Sequence, residues 1–327
     1  MYRKILLIVL ISVCIPLNAY ADEGNEGVPG RVTELEEQVL VLQGQVMSLL
    51  ELLEGVSRFT QYYEGDPVGY DTLLFTGMNV QIINGEGGNR EYNGEGNLII
   101  GYSGQRGGSE CPGGDLCDRR TGSHNLVMGF QNNYTAHGGL VSGILNEVSG
   151  SNASILGSRY SMASGNQATV TGGFGNIASG PWSSVSGGNH NTASGEVSSV
   201  SGGSGNEAFG TQASVSGGAA NIASGLGASV SGGEENTASG DFTWISGGLI
   251  NRASSPRAAV VGGYNNEASG VDSAVIGGGN NHASGHVASV SGGDGNAAIG
   301  TATSISGGEG KTAAFDICWT AGTFDDC

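Results

Sequence analysis

The sequence of 327 residues has little of what a globular core is made from: aromatic residues are 6% of it and charged residues 13%. Cations are few, with 12 Lys and Arg against 30 Asp and Glu, so the formal net charge is -18. A chain this acidic repels phosphate backbones, which excludes nucleic acid as a partner. Proline is scarce at 6 residues, whereas Gly supplies 62. Collagen would need glycine at every third position, and Gly/Ser disorder would show no fixed spacing of Val and Ile; neither pattern is present. Beyond the first 21 residues no apolar run approaches the roughly 18 to 20 residues that cross a bilayer, so no membrane span is expected in the mature chain.

The long apolar run lies at the start. Residues 1–21, MYRKILLIVLISVCIPLNAYA, place Arg3 and Lys4 before an apolar stretch from Ile5 and end in Ala19-Tyr20-Ala21. This is the pattern of a secretory signal, with cleavage expected after Ala21. A signal anchor is the competing reading, while a lipoprotein signal would need a small residue before Cys14, where Val13 stands. The mature product is expected to be secreted, to the extracellular space, the cell surface or the periplasm. Cleavage removes Cys14 and leaves Cys111, Cys117, Cys318 and Cys327 in two close pairs. Local disulfides within each pair suit an oxidising compartment. Zinc is the rival use, but no histidine stands beside either pair.

After a linker at 22–31, apolar residues fall at Val32, Leu35, Val39, Leu42, Val46, Leu49, Leu53 and Val56. Steps of three and four are the seam of a coiled coil, expected over 32–57. Pro29-Gly30 is expected to break the chain ahead of it, and Thr33 with Glu36 reads as a capping box. Valine and leucine at the seam favour two strands, whereas Leu40, Val41, Leu50 and Leu52 widen the apolar face toward three; the seam alone decides neither. An amphipathic helix packed on its own domain is the alternative. So short a helix is marginal by itself, so its stability must come from assembly.

Self-similarity dominates the rest of the chain. From Val185-Ser-Gly-Gly-x-x-Asn191-x-Ala193-Ser-Gly195, steps of fifteen meet Val200, Val215, Val230, Ile245, Val260, Val275, Val290 and Ile305, and backward steps meet Val170, Ile155 and Leu140. Twelve units are read over 140–314 with no insertion. Asn recurs at Asn146, Asn176, Asn191, Asn206, Asn221, Asn236, Asn251, Asn266, Asn281 and Asn296, with Ser161 and Lys311 as departures.

Fifteen residues suffice for two short strands and their turns, one coil of a parallel β-solenoid. The fold class is therefore mainly β, a β-roll preceded by one helix. In Ala213-Ser214-Val215-Ser216, a period of two sends Ala213 and Val215 inward and the serines outward. Paired glycines permit the bend, and Ala-Ser-Gly forms the second strand. Stacked Asn amides are expected to hydrogen-bond from coil to coil, with Asn taking the left-handed backbone of a turn. Twelve coils at about 4.8 Å make a rod of roughly 55 to 60 Å. One Val or Ile per coil contributes about 1.5 to 3 kcal/mol, so burying a wall against sister chains would add stability.

The SVSGGxxNxASG units, as in Ser214 to Gly225 and Ser229 to Gly240, resemble the head repeats of YadA-like trimeric autotransporter adhesins. The likeness covers about 97–314 and implies a left-handed parallel β-roll, a homotrimer, and binding to host or matrix surfaces. Asn97-Leu-Ile-Ile-Gly-Tyr102 and Asn125-Leu-Val-Met-Gly-Phe130 look like irregular lead-in coils within a β segment at 58–139, and a Cys-stapled tail occupies 315–327. The sequence departs from that family in placing its coiled coil first; no C-terminal membrane barrel is expected, so surface attachment is expected to need another component.

Catalytic chemistry has little to stand on. His124, His137, His190, His282 and His286 fit no catalytic or metal motif, and Gly292-Gly-Asp-Gly-Asn296 lacks the period of calcium-binding repeats. Serine has no nucleophile elbow, and the glycine patterns no βαβ unit. No cofactor, metal or catalytic residue is therefore expected. Variation gathers in two turns, at Asn189-His190, Glu234-Glu235, Leu249-Ile250 and Tyr264-Asn265 and at Glu196-Val197, Asp241-Phe242 and Pro256-Arg257. The expectation is a secreted, adhesin-like, non-enzymatic trimer that presents these turns to a surface or matrix ligand, protein or glycan. The alternatives are an ice-binding solenoid, for which the serines at 186, 201, 216 and 231 speak, and a polysaccharide-active β-helix enzyme, for which clustered carboxylates would be needed.

Overall fold

The computed structural model describes residues 28–52, 56–61, 70–75, 79–83, 95–101, 118–321 and 324–325. Ala21, Leu53, Cys111, Cys117 and Cys327 lie outside the described residues. Two compact units divide the chain, Met1–Gln81 and Ile82–Cys327.

The first unit holds helix α1 (Val28–Leu52) and the antiparallel strands β1 (Val56–Gln61) and β2 (Tyr70–Phe75), with Val56 opposite Phe75 and Gln61 opposite Tyr70. Two expectations are corrected. The helix begins at Val28, so Pro29-Gly30 lies within its first turn and Thr33 is not its cap. Proline is tolerated there because the first amides of a helix have no intrahelical acceptor to lose. At the other end Val56 opens a strand instead of closing the seam, as its β-branched side chain and the preceding Gly55 favour. Along the helix Val32 is 38% exposed, Leu35 58%, Val39 37%, Leu42 57% and Leu49 58%, with Val46 half-buried. Among the described residues of one chain, nothing covers the seam.

The second unit is a parallel β-solenoid. Its first wall stacks two-residue strands fifteen apart, with Ser184–Val185 pairing Ser199–Val200 and so onward to Ser304–Ile305. A second wall of thirteen strands runs from Asn133–Tyr134 to Thr312–Ala313. A third line of single bridges passes through Phe174, Asn189, Ser204, Ala219 and on to Glu309. Inside, Val170, Val185, Val200, Val215, Val230, Ile245, Val260, Val275, Val290 and Ile305 form a column no more than 1% exposed, faced by a column of alanines from Ala163 to Ala313. Such narrow packing works because alanine opposite valine brings the walls together without voids.

The coil length is not uniform. Val127 pairs with Val141 and Val141 with Ile155, steps of fourteen, and the register shifts beyond Val141. The core residue of that coil is therefore Val141, 1% exposed, and not the half-buried Leu140 met by stepping back in fifteens. The stack also begins earlier than 140, because Leu98–Ile100 pairs with Leu126–Met128. It ends later than 314, because Trp319 and Thr320 pair with Ser304 and Ile305 and then turn into an antiparallel Phe324–Asp325. Cys318 is buried and disulfide-bonded.

Side-chain amides bond from coil to coil between Asn206, Asn221 and Asn236 (3.1 and 3.0 Å), but most of the asparagine bonds that hold the stack run to backbone. In each coil from 176 onward the side-chain oxygen accepts the backbone N–H of the next Asn, as at Asn191 (2.9 Å) and Asn206 (3.0 Å), and Lys311 takes this bond at the end (2.9 Å). The side-chain nitrogen donates to two glycine carbonyls, for Asn206 those of Gly202 and Gly218, both at 2.9 Å. Asn is not the left-handed residue of the turn; the position before it is, as at His190, Glu235 and Ile250. Where Asn gives way to Ser161, Ser158 replaces a glycine and their hydroxyls meet at 2.5 Å. Ser161 then accepts the Asn176 amide (3.1 Å) and Ser158 donates to the Gly173 carbonyl (3.2 Å). Two short hydroxyls thus do the work of one amide.

The column behind each core valine carries Ala213, Ala228, Ala258 and Ala288, but also Ser183, Ser198 and Ser273, whose buried hydroxyls have no partner. Thr243 and Thr303 avoid this by donating to the carbonyls of Gly240 and Gly300 at 2.7 and 2.9 Å. An orphaned buried hydroxyl costs on the order of 1 kcal/mol or more. Ser183→Ala, Ser198→Ala and Ser273→Ala are each expected to stabilise the roll by about 1 kcal/mol, read by chemical denaturation; Thr243→Ala should do the reverse.

Candidate functional site

The surface of the roll is set by two left-handed columns. Trp182, Val197, Gln212, Phe242, Arg257, Asp272, Val287 and Ala302 recur at one turn with φ between 54° and 60°. Leu145, Tyr160, His190, Ala220, Glu235, Ile250, Asn265 and Asn280 do so at the other. A non-glycine residue there costs roughly 1 to 2 kcal/mol. The cost is offset because each amide bonds the preceding coil, His190 to the Phe174 carbonyl and Val197 to that of Pro181, both at 2.9 Å. Side chains at these corners leave the wall, so their identity is free. Trp182 is 52% exposed, Val197 50% and Phe242 60%. Sequence reasoning located the variable turns but assigned the bends to Gly and Asn; β-branched residues at positive φ give no local signal.

Three groups of side chains stand out. On the third line of bridges and its corner, Arg159, Tyr160, Phe174 and His190 occupy successive coils. On the outer face of the first wall, Trp244 pairs with Ala259 and Ala259 with Ala274, near exposed Val261 and Ile276. This apolar island interrupts the exposed serines of the same face, Ser186, Ser201, Ser216 and Ser231. Trp244 is thus a wall residue, whereas Trp182 is a turn residue.

The third group is ionic. Arg257 donates from Nε to Oδ1 of Asp272 (2.5 Å) and from Nη2 to Oδ2 (2.7 Å), and His286 Nε2 lies 3.8 Å from the same carboxylate. On the second wall Glu267 stands 4.0 Å from both Arg252 and His282, while His282 Nε2 meets Ser269 Oγ at 2.7 Å. The hydrogen bonds from Arg257 hold the Asp272 carboxyl below the usual carboxylate range, and Asp272 in return raises Arg257. A depressed carboxylate stabilises the fold above its unfolded pKa and loses that contribution as pH falls through its folded one. Acid unfolding of Arg257→Gln, followed by circular dichroism, is therefore expected to begin at higher pH than wild type, by a small margin because the pair is solvent-screened.

His124 contacts its neighbour Ser123 at 3.2 Å, and the described residues hold no group of three or more His, Cys, Asp or Glu placed to bind a metal. Asp241, Asp272 and Asp294 stay on separate columns: Asp241 accepts from the Leu226 amide and Asp294 from Asn280. No helix among the described residues is long and apolar enough to cross a membrane.

No protein-family model matches this chain, and no curated protein matches it. The fold itself defines the class: a parallel β-solenoid repeat protein, with thirteen strands in its second wall and coils of fourteen and then fifteen residues.

Proposed function

We propose that the protein is a secreted, non-enzymatic fibre that assembles as a homotrimer and binds surfaces through its two turn columns. The observation that carries this reading is the contrast within each coil: a uniform interior of Val, Ala, Gly and Asn beneath corners where any side chain is accepted. A scaffold constant inside and free at its turns is suited to recognition. The likeness of its repeats to YadA-like heads supports the trimer and the surface role. Support for assembly also comes from α1, whose seam is exposed along one chain and would be covered by sister helices. The disulfide at Cys318 accords with an oxidising compartment.

Sedimentation of the mature protein tests the assembly. Leu35→Asp with Leu42→Asp places charges in the seam and is expected to convert a trimer to monomers while leaving the β spectrum of the roll intact. A wild-type monomer would remove the oligomer from this reading. The exposed serines of the first wall favour one second reading, an ice-binding face, and thermal hysteresis by the pure protein would put that reading first.

A further inference from the structure

We infer that the corner formed by Arg159, Tyr160, Phe174 and His190 binds a carboxylate-bearing saccharide, an assignment that rests on the roll being a surface-binding element. The rings of Tyr160 and Phe174 lie 5.5 Å apart at 72°, and those of Phe174 and His190 5.3 Å apart at 86°. Edge-to-face packing fixes the rings against one another at little entropic cost. It also leaves them open to solvent, with Tyr160 37% and Phe174 40% exposed. Gly175 makes the arrangement possible: a Cβ there would come within 2.6 Å of His190 Nδ1. The coil between Tyr160 and His190 therefore has no side chain where the imidazole lies.

Arg159 supplies the charge. Its guanidinium carbon lies 5.0 Å from the Tyr160 ring centroid, a cation–π contact that orients the planar fork while keeping it exposed. Arg119, Arg120, Arg252 and Arg257 each face a carboxylate of this chain. Arg159 is exposed and makes no ion pair among the described residues. On a chain of net charge -18, an unpaired guanidinium set over a ring offers an external carboxylate a bidentate partner.

The surroundings favour a sugar over a peptide. Peptides are captured by an open strand edge, a groove for a helix or an aromatic trough, whereas here each strand is already paired by the coils above and below. Phe130 and Ile144 precede Arg159 on the same line, and Asn189 follows Phe174. Five coils at about 4.8 Å give a strip of roughly 19 Å, long enough for an oligosaccharide. The apolar rings match the C–H face of a pyranose, and Asn189 with His190 offers hydrogen bonds to its hydroxyls.

Calorimetric titration of the full mature protein tests the assignment with two acid probes, trigalacturonate and sialyllactose, against methyl-esterified trigalacturonate and lactose. At least one acid is expected to bind about tenfold or more tightly than its neutral counterpart, and less tightly as salt is raised. Arg159→Gln should abolish that preference, Phe174→Ala should weaken both members of the pair, and Thr237→Ser on the second wall, outside both turn columns, should change neither. Failure of both acids to bind, equal binding of acid and neutral forms, or an unchanged preference in Arg159→Gln would overturn the site. A wild-type trimer that coats surfaces although neither acid binds it would show that this assignment alone had failed and that the fibre reading stood.

Discussion

Asn221→Ala is expected to lower the unfolding free energy of the roll by about 3 to 5 kcal/mol, the loss of several hydrogen bonds with a buried donor left orphaned. The side-chain nitrogen of Asn221 donates to the carbonyls of Gly217 (3.0 Å) and Gly233 (2.9 Å), and its oxygen accepts the Asn236 amide (3.1 Å). Alanine removes these together with the side-chain amide bonds to Asn206 (3.1 Å) and Asn236 (3.0 Å), and the Asn236 N–H, inside the wall, has no water to turn to. Because each coil touches only its neighbours, the damage should start locally. Hydrogen exchange is expected to accelerate first at the amides of residues 221–236, and denaturant melts to lose a matching amount of stability. Wild-type stability in Asn221→Ala would sink the claim that the asparagines lock the stack.

Gly225→Ala is expected to cost about 3 kcal/mol, at the upper end for overpacking because the obstruction is backbone. A Cβ at Gly225 would lie 2.0 Å from the Gly240 carbonyl oxygen and 2.5 Å from its carbon, and backbone cannot swing aside. The same close approach recurs from Gly150 to Gly285, one coil to the next. Ser255 interrupts this column, and its amide lacks the bond that Gly225 and Gly270 make to the alanine carbonyl of the following coil. Gly217→Ala is the control. Nothing lies within 4 Å of a Cβ there and its φ is not in the left-handed region, so its effect should stay within about 1 kcal/mol. Equal melting temperatures for the two variants would show that the glycine column is not closely packed.

Two glycines in one repeat thus have different reasons to be there, and the sequence alone does not separate them. Both recur every fifteen residues. Only the approach of the neighbouring coil shows that Gly225 excludes a side chain while Gly217 faces open space. The opening coils teach the same lesson. A strict step of fifteen leads back to Leu140, but the strand pairing puts Val141 in the core, because a coil one residue shorter still closes when its bend is shortened and its Asn keeps its place.

For the candidate site, the sequence marked the variable turns and His190 and Asn189 within them, yet it did not join Arg159, Tyr160 and Phe174 to that corner. Residues fourteen to sixteen apart become neighbours only when coils stack. Ring contacts and a free guanidinium belong to that stacking and have no signature along the chain.

What the sequence determined by itself was the periodic part: which residue of each coil is apolar, which is glycine, which is asparagine, and hence a parallel β-solenoid. Side-chain period and repeat length are local properties, and they survive being read in one dimension. The tertiary structure alone decided where the stack begins and ends, which residues bear the left-handed backbone, and which exposed side chains meet. Those depend on contacts between coils, where a Val or a Phe is forced to positive φ by hydrogen bonds to the turn beneath it, against its own preference.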